Sequence, residues 1–149
     1  MNKCDAGVAI LMAEDDDGHA LLVRERFESI GLKNPVTRFK DGQEIWDFLS
    51  GVSSPGLEPG RGYLLLLDIR MPRLDGIEVL RRVKGDPRLK NIPVIMLTTT
   101  DEPAEIHTCY ELGCNNYLTK PVEFDKFIEV IKRLGLFLMI VEVAKIKAQ

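Results

Sequence analysis

The chain has 149 residues, 45% of them hydrophobic and 29% charged, with a formal net charge of −3. That length supports one full hydrophobic core, and the charge balance excludes nucleic-acid binding through a broad basic face. Cys4, Cys109 and Cys114 lack metal-type spacing and fit a reducing cytosol, and no apolar run approaches the ~20 residues of a membrane span. The segment ahead of the first apolar run carries Lys3 and Asp5 and lacks the form of a signal peptide.

In chain order, residues 8–13 predict a buried strand that ends in Glu14, Asp15, Asp16 and Asp17. Asp17 is suited to cap the next helix, on which Ala20, Val23, Phe27 and Ile30 recur at helical spacing before Gly31 ends it. Residues 35–39 predict a short strand of modest apolar content, suited to a sheet edge. Asp41 and Glu44 form a capping-box-like pair ahead of Ile45, Phe48 and Leu49, the inner face of a second helix beside which Trp46 packs. Residues 51–62 carry Ser, Pro and Gly without periodicity and read as a surface loop.

The centre of the chain is the run Leu64, Leu65, Leu66, Leu67, led by Tyr63. A continuous apolar run of this kind marks a strand buried on both faces of a parallel sheet. Asp68 follows at once, and a charge is too costly inside a core, so it belongs where the strand emerges. Met71 and Pro72 turn the chain. Asp75 caps a helix bearing Ile77, Leu80 and Val83, which residues 85–87 stop. Residues 92–97 predict the next buried strand, followed by Thr98, Thr99 and Thr100. Asp101 is suited to cap a helix with Pro103 in its first turn, ended by Gly113. Residues 116–119 predict a last short strand, followed by Lys120 and Pro121. The final helix begins near Glu123 and carries Phe124, Phe127, Ile128, Ile131 and Leu134.

Strand then helix, five times over, implies a parallel sheet with right-handed crossovers and helices on both faces. The expected organisation is one domain over residues 1–149, with an extension from about residue 135. Polar groups then gather at the carboxyl ends of four strands: Glu14 and Asp15, Asp68, Thr98, and Lys120. Open α/β sheets bind ligands at that edge. Crowded carboxylates repel one another, and a hard divalent cation relieves the repulsion. Oxygen ligands without His or Cys favour magnesium. Asp68 can serve as a nucleophile toward phosphorus, Thr98 can donate to a phosphoryl oxygen, and Lys120 can neutralise another. Each has a bland reading alone: a turn residue, a solvated acidic loop, a strand former, an ordinary Lys-Pro loop. Their alignment on successive strands is what points to a site. His19 and His107 are isolated and read as surface helix positions.

With those residues in place, the chain from about Val8 to Leu134 resembles a response-regulator receiver domain. Glu14 and Asp15 match the family's acidic pair. Asp68 with Met71, Pro72, Asp75 and Gly76 matches the phosphoacceptor and its loop. Thr98 matches the strand-end hydroxyl, Tyr117 the switch aromatic, and Lys120 with Pro121 the lysine and its usually cis proline. The resemblance implies a flavodoxin-like, doubly wound five-stranded parallel sheet of order 2-1-3-4-5 with five helices, the last extended. It implies Mg2+-dependent transfer of a phosphoryl group from a sensor histidine kinase to Asp68, in a cytoplasmic two-component phosphorelay. Such a protein is a phosphoacceptor with slow autodephosphorylation rather than an enzyme. Asp15, Asp68 and the backbone carbonyl of Arg70 would hold the metal, with Glu14 acting mostly through water. Thr99 is bulkier than the residue often found there, and Arg70 adds a long cation. Both bear on phosphoryl lifetime.

No separate effector domain is expected in a chain of this length, so output is expected to come from the receiver surface. Residues 136–141 would be apolar on every side of a helix, which a small domain cannot bury alone. The expectation is a homodimer with Leu136, Phe137, Leu138 and Ile140 at its interface; the alternative is folding back on the same domain. The extended tail and Thr98, Thr99 and Thr100 also resemble the single-domain regulators that serve bacterial phytochrome kinases. Two other functions compete. A haloacid-dehalogenase-like phosphatase also uses a strand-end Asp, Mg2+, a Thr and a Lys. It wants a second acid where Arg70 stands, and its nucleophile follows the first strand. A pseudo-receiver that only binds protein would not need the complete acidic cluster.

Overall fold

A computed structural model describes residues 7–29, 31–99 and 101–133. Its strands are β1 (Ala9–Ala13), β2 (Val36–Phe39), β3 (Tyr63–Asp68), β4 (Val94–Thr98) and β5 (Asn116–Thr119). They alternate with helices α1 (Asp17–Ser29), α2 (Gly42–Ser50), α3 (Gly76–Lys84), α4 (Pro103–Leu112) and α5 (Phe124–Arg133). All strand pairs are parallel, in the order β2-β1-β3-β4-β5. This is the parallel sheet expected from the alternation of strand and helix, in the flavodoxin-like order that the resemblance implies.

The leucine run explains the layering. Successive strand residues point to opposite faces. Leu64 and Leu66 therefore join Ile10, Met12, Ile95 and Leu97 in a core closed by α1 and α5. Leu65 and Leu67 join Leu11, Ala13, Val94 and Met96 in a second core closed by α2, α3 and α4. β1 and β4 are buried throughout and β3 nearly so, while β2, at the edge, carries no fully buried residue. Among the described residues no helix is long and apolar enough to cross a membrane.

Several local expectations are corrected. The cap of α1 is Asp16, not Asp17: Asp16 Oδ1 accepts from the His19 amide at 2.9 Å, and Asp17 is already helical. The Asp16 amide donates to Glu14 Oε2 at 3.1 Å, which turns this residue into the capping position. Asp17 instead pairs with Arg38 at 2.6 Å. At α4 the cap position is Glu102 rather than Asp101, and it makes no side-chain cap bond; Pro103 at the helix start removes one amide that would need satisfying. β4 starts at Val94, where the amide is taken by Asn115 Oδ1 at 2.8 Å, and it runs through Thr98. The inner face of α3 includes Val79, while Ile77 is only half-buried, and α5 adds Val130 to its core face. Asp41 caps α2 and Asp75 caps α3 as expected, and residues 51–62 form no strand or helix. Lys120–Pro121 is cis. Cys4, Ile30, Thr100 and everything from Leu134, including Leu136, Phe137, Leu138 and Ile140, lie outside the described residues.

Candidate functional site

Strand register brings the polar residues together. Ala13 pairs with Leu67, so Glu14 and Asp68, one residue on, leave the sheet side by side. Asp68 lies opposite Leu97, and Thr98 opposite Thr119, which places Thr98 and Lys120 at the same edge. Chain direction across the sheet reverses between β1 and β3, and ligands of open α/β sheets bind at that crevice. The β3–α3 turn is closed by the Gly76 amide donating to the Ile69 carbonyl at 2.8 Å.

Glu14, Asp15 and Asp68 each offer an oxygen within 4.8 Å of the others. Glu14 and Asp68 are 1% and 5% exposed, whereas Asp15 faces solvent. Three converging carboxylates with no nitrogen or sulfur donor fit a hard divalent cation, and the open Asp15 side gives it a way in. Lys120, its side chain 6% exposed, places Nζ 2.6 Å from Glu14 Oε1 and 3.5 Å from Asp68 Oδ1. Burial pushes the Asp68 carboxyl up to about 7; the Glu14 charge adds to this, and Lys120 opposes it. One ammonium therefore does not compensate three acids.

Thr98 is buried beside Asp68, and its side chain hydrogen-bonds Tyr117. Burial raises the Tyr117 phenol above its usual range, helped by the Glu105 carboxylate and opposed by that bond. Arg70 reaches α4, its Nη2 3.0 Å from Glu105 Oε2. Arg70, Asp15 and Glu105 border an open cleft of about 400 Å³ on one side of the cluster. On the other side a more apolar cleft of about 330 Å³ runs between α1 and the turn after β5, lined by His19, Thr99, Lys120 and Pro121 among others.

The structure thus gathers Glu14, Asp15, Asp68, Thr98 and Lys120, with Tyr117 one contact away. His107 is a surface residue paired with Glu111 at 3.2 Å. His19 is not merely a surface position: its Nδ1 lies 3.0 Å from Lys120 Nζ. The signal that could have found it is the cap at Asp16, which puts residue 19 in the first turn of a helix that starts at the ligand edge. Glu105 was also missed, because only the packing of α4 brings it to Arg70. Cys109 and Cys114 are buried free thiols with ionisation pushed up by burial, Cys114 to about 12, which fits a packing role. Trp46 is partly buried on α2, with the Arg82 guanidinium 5.6 Å from its ring centre.

Fold and cluster together define a doubly wound α/β protein with an acidic, cation-suited site at its strand ends. The chain belongs to the response regulator receiver domain family, whose model matches residues 10–132. It is 33% identical over 128 residues to the response regulator Rcp1 of Synechocystis, covering 86% of each chain. Among solved structures it is similar to the bacteriophytochrome response regulator AtBRR, at 40% identity and a TM-score of 0.76 over 87% of this chain and 94% of that one. It is also similar to the Mn2+-bound form of Rcp1, at 31% identity and a TM-score of 0.70 over 89% and 94%.

Proposed function

We propose that this chain is the phosphoacceptor of a cytoplasmic two-component pathway, taking a phosphoryl group from a sensor histidine kinase onto Asp68. The observation that carries the reading is the Asp68 carboxylate at the strand edge, gathered with those of Glu14 and Asp15 and 3.5 Å from the Lys120 ammonium. An Asp68 oxygen attacks phosphorus as the bond from phosphorus to the kinase imidazole breaks. The imidazole leaves with the electron pair and takes a proton from solvent. Lys120 offers its positive charge to the phosphoryl oxygens, and Thr98 supplies a hydroxyl donor. Asp15, Asp68 and the Arg70 carbonyl would hold a magnesium ion, with Glu14 acting mostly through water, and the ion when bound neutralises charge on the transferring group. In exchanging Tyr117 for a phosphoryl oxygen, Thr98 would convert phosphorylation into a movement of that aromatic ring.

The likeness to AtBRR supports a kinase partner of the bacteriophytochrome kind. In the same reading the chain pairs with a second copy through Leu136, Phe137, Leu138 and Ile140, and acts as a switch without turnover beyond slow autodephosphorylation. A phosphatase reading finds no second acid two residues after Asp68, where Arg70 pairs with Glu105 instead. The test is phosphotransfer from autophosphorylated histidine kinases to the wild type and to Asp68→Asn. Transfer from one kinase to the wild type alone supports the proposal. Transfer to both proteins, or from no kinase with the wild type, opposes it.

A further inference from the structure

We infer that His19 is a positioning residue for Lys120, an inference that rests on the phosphoacceptor reading above. The geometry is a closed ring of hydrogen bonds. Glu14 Oε2 accepts from the Asp16 amide at 3.1 Å, Asp16 Oδ1 accepts from the His19 amide at 2.9 Å, and Lys120 Nζ lies 3.0 Å from His19 Nδ1 and 2.6 Å from Glu14 Oε1. An ammonium has donors only, so Nδ1 is the acceptor and the neutral ring carries its proton on Nε2. With that tautomer the 3.8 Å approach of Nδ1 to Glu14 Oε2 is no ion pair; the imidazole belongs to the lysine.

The consequence follows from counting donors. Lys120 has three N–H groups. One goes to Glu14 and one to His19, which leaves the third for Asp68 Oδ1, 3.5 Å away, and for a phosphoryl oxygen arriving there. His19 thus fixes the rotation of the ammonium and keeps its third N–H turned toward Asp68, where the phosphoryl group arrives. Without it only the two carboxylates hold the ammonium, and its third N–H is free to turn away from the phosphoryl oxygens. His19 also borders the cleft that opens beside Lys120 and Thr99, so the lysine has space to move once the imidazole is gone.

The test compares the rate of phosphoryl uptake from acetyl phosphate, over a range of donor concentrations, for the full chain and its variants. His19→Ala should lower the saturating rate about tenfold, the scale of one hydrogen bond to a charged group, and change the half-saturating concentration little. His19→Asn, whose amide oxygen can take the place of Nδ1, should recover most of that loss. In a Lys120→Ala background, His19→Ala should have no further effect, because the residue acts through the lysine. A wild-type rate in His19→Ala overturns the inference, and so does an undiminished loss in the Lys120→Ala background. Failure of His19→Asn to recover any rate also counts against an acceptor role. The phosphoacceptor reading fails separately, if the wild type takes up no phosphoryl group or Asp68→Asn takes it up equally well.

Discussion

Gly76 lies against the backbone that carries Asp68. A Cβ built there would overlap the Asp68 carbonyl oxygen, so the Asp-Gly pair after the turn is a steric requirement of the site. Gly76→Ala should destabilise the protein by about 1–3 kcal/mol through overpacking, read by urea denaturation. An unchanged midpoint would mean that the turn yields without strain. Asp68 sets a pH dependence. Its folded value, pushed up to about 7, stands above its ordinary 3.8, so the folded state holds this proton more tightly than the unfolded chain. The stability this group contributes is fully present below about pH 4 and is lost as pH rises through about 7. Asp68→Asn removes the ionisation. Without divalent cations it should therefore be more stable than the wild type at about pH 8, by roughly 1–3 kcal/mol, and the two should converge near pH 4. A difference independent of pH, or of opposite sign, would remove the buried-charge account of the cluster.

At the scale of elements, α1 and α5 close one face of the sheet through Phe27 and Phe127, whose rings lie 4.8 Å apart in a tilted pair. Phe127→Ala should cost about 3–5 kcal/mol in denaturant-measured stability, while Val52→Ala, in the exposed loop, should stay within about 0.5 kcal/mol. Comparable losses at both positions would contradict the core assignment. The elements were legible because burial on both faces writes an unbroken apolar run, as in Leu64 to Leu67, and because Asp41, Asp75 and Gly113 carry their cap signals locally. The ends of α1 and α4 were less so. Four acids in succession leave the capping residue open until the Glu14 side chain is seen to engage the Asp16 amide. The residues around the carboxylates escaped for a related reason. His19 reaches Lys120 across 101 positions of sequence, and Arg70 reaches Glu105 across 35. Both pairings are long-range, whereas Glu14, Asp68, Thr98 and Lys120 each announce themselves at the end of a strand.

At the scale of the molecule, a parallel sheet delivers every strand end to one edge, so a chain with acids after β1 and β3 and a lysine after β5 assembles its site by folding alone. Residues 136–141 are six consecutive apolar residues, and in the proposed dimer they meet a second copy. Sedimentation should show a dimer for the full chain and a monomer for a chain ending at Arg133, and a monomeric full chain at high concentration would end the dimer proposal. The central claim, that these strand ends form a phosphoacceptor, is met most directly by intact mass spectrometry after incubation with acetyl phosphate and magnesium. The account predicts one added phosphoryl group on the wild type, none on Asp68→Asn, and none on the wild type when magnesium is chelated. An unmodified wild type, or an equal gain on Asp68→Asn, would contradict it.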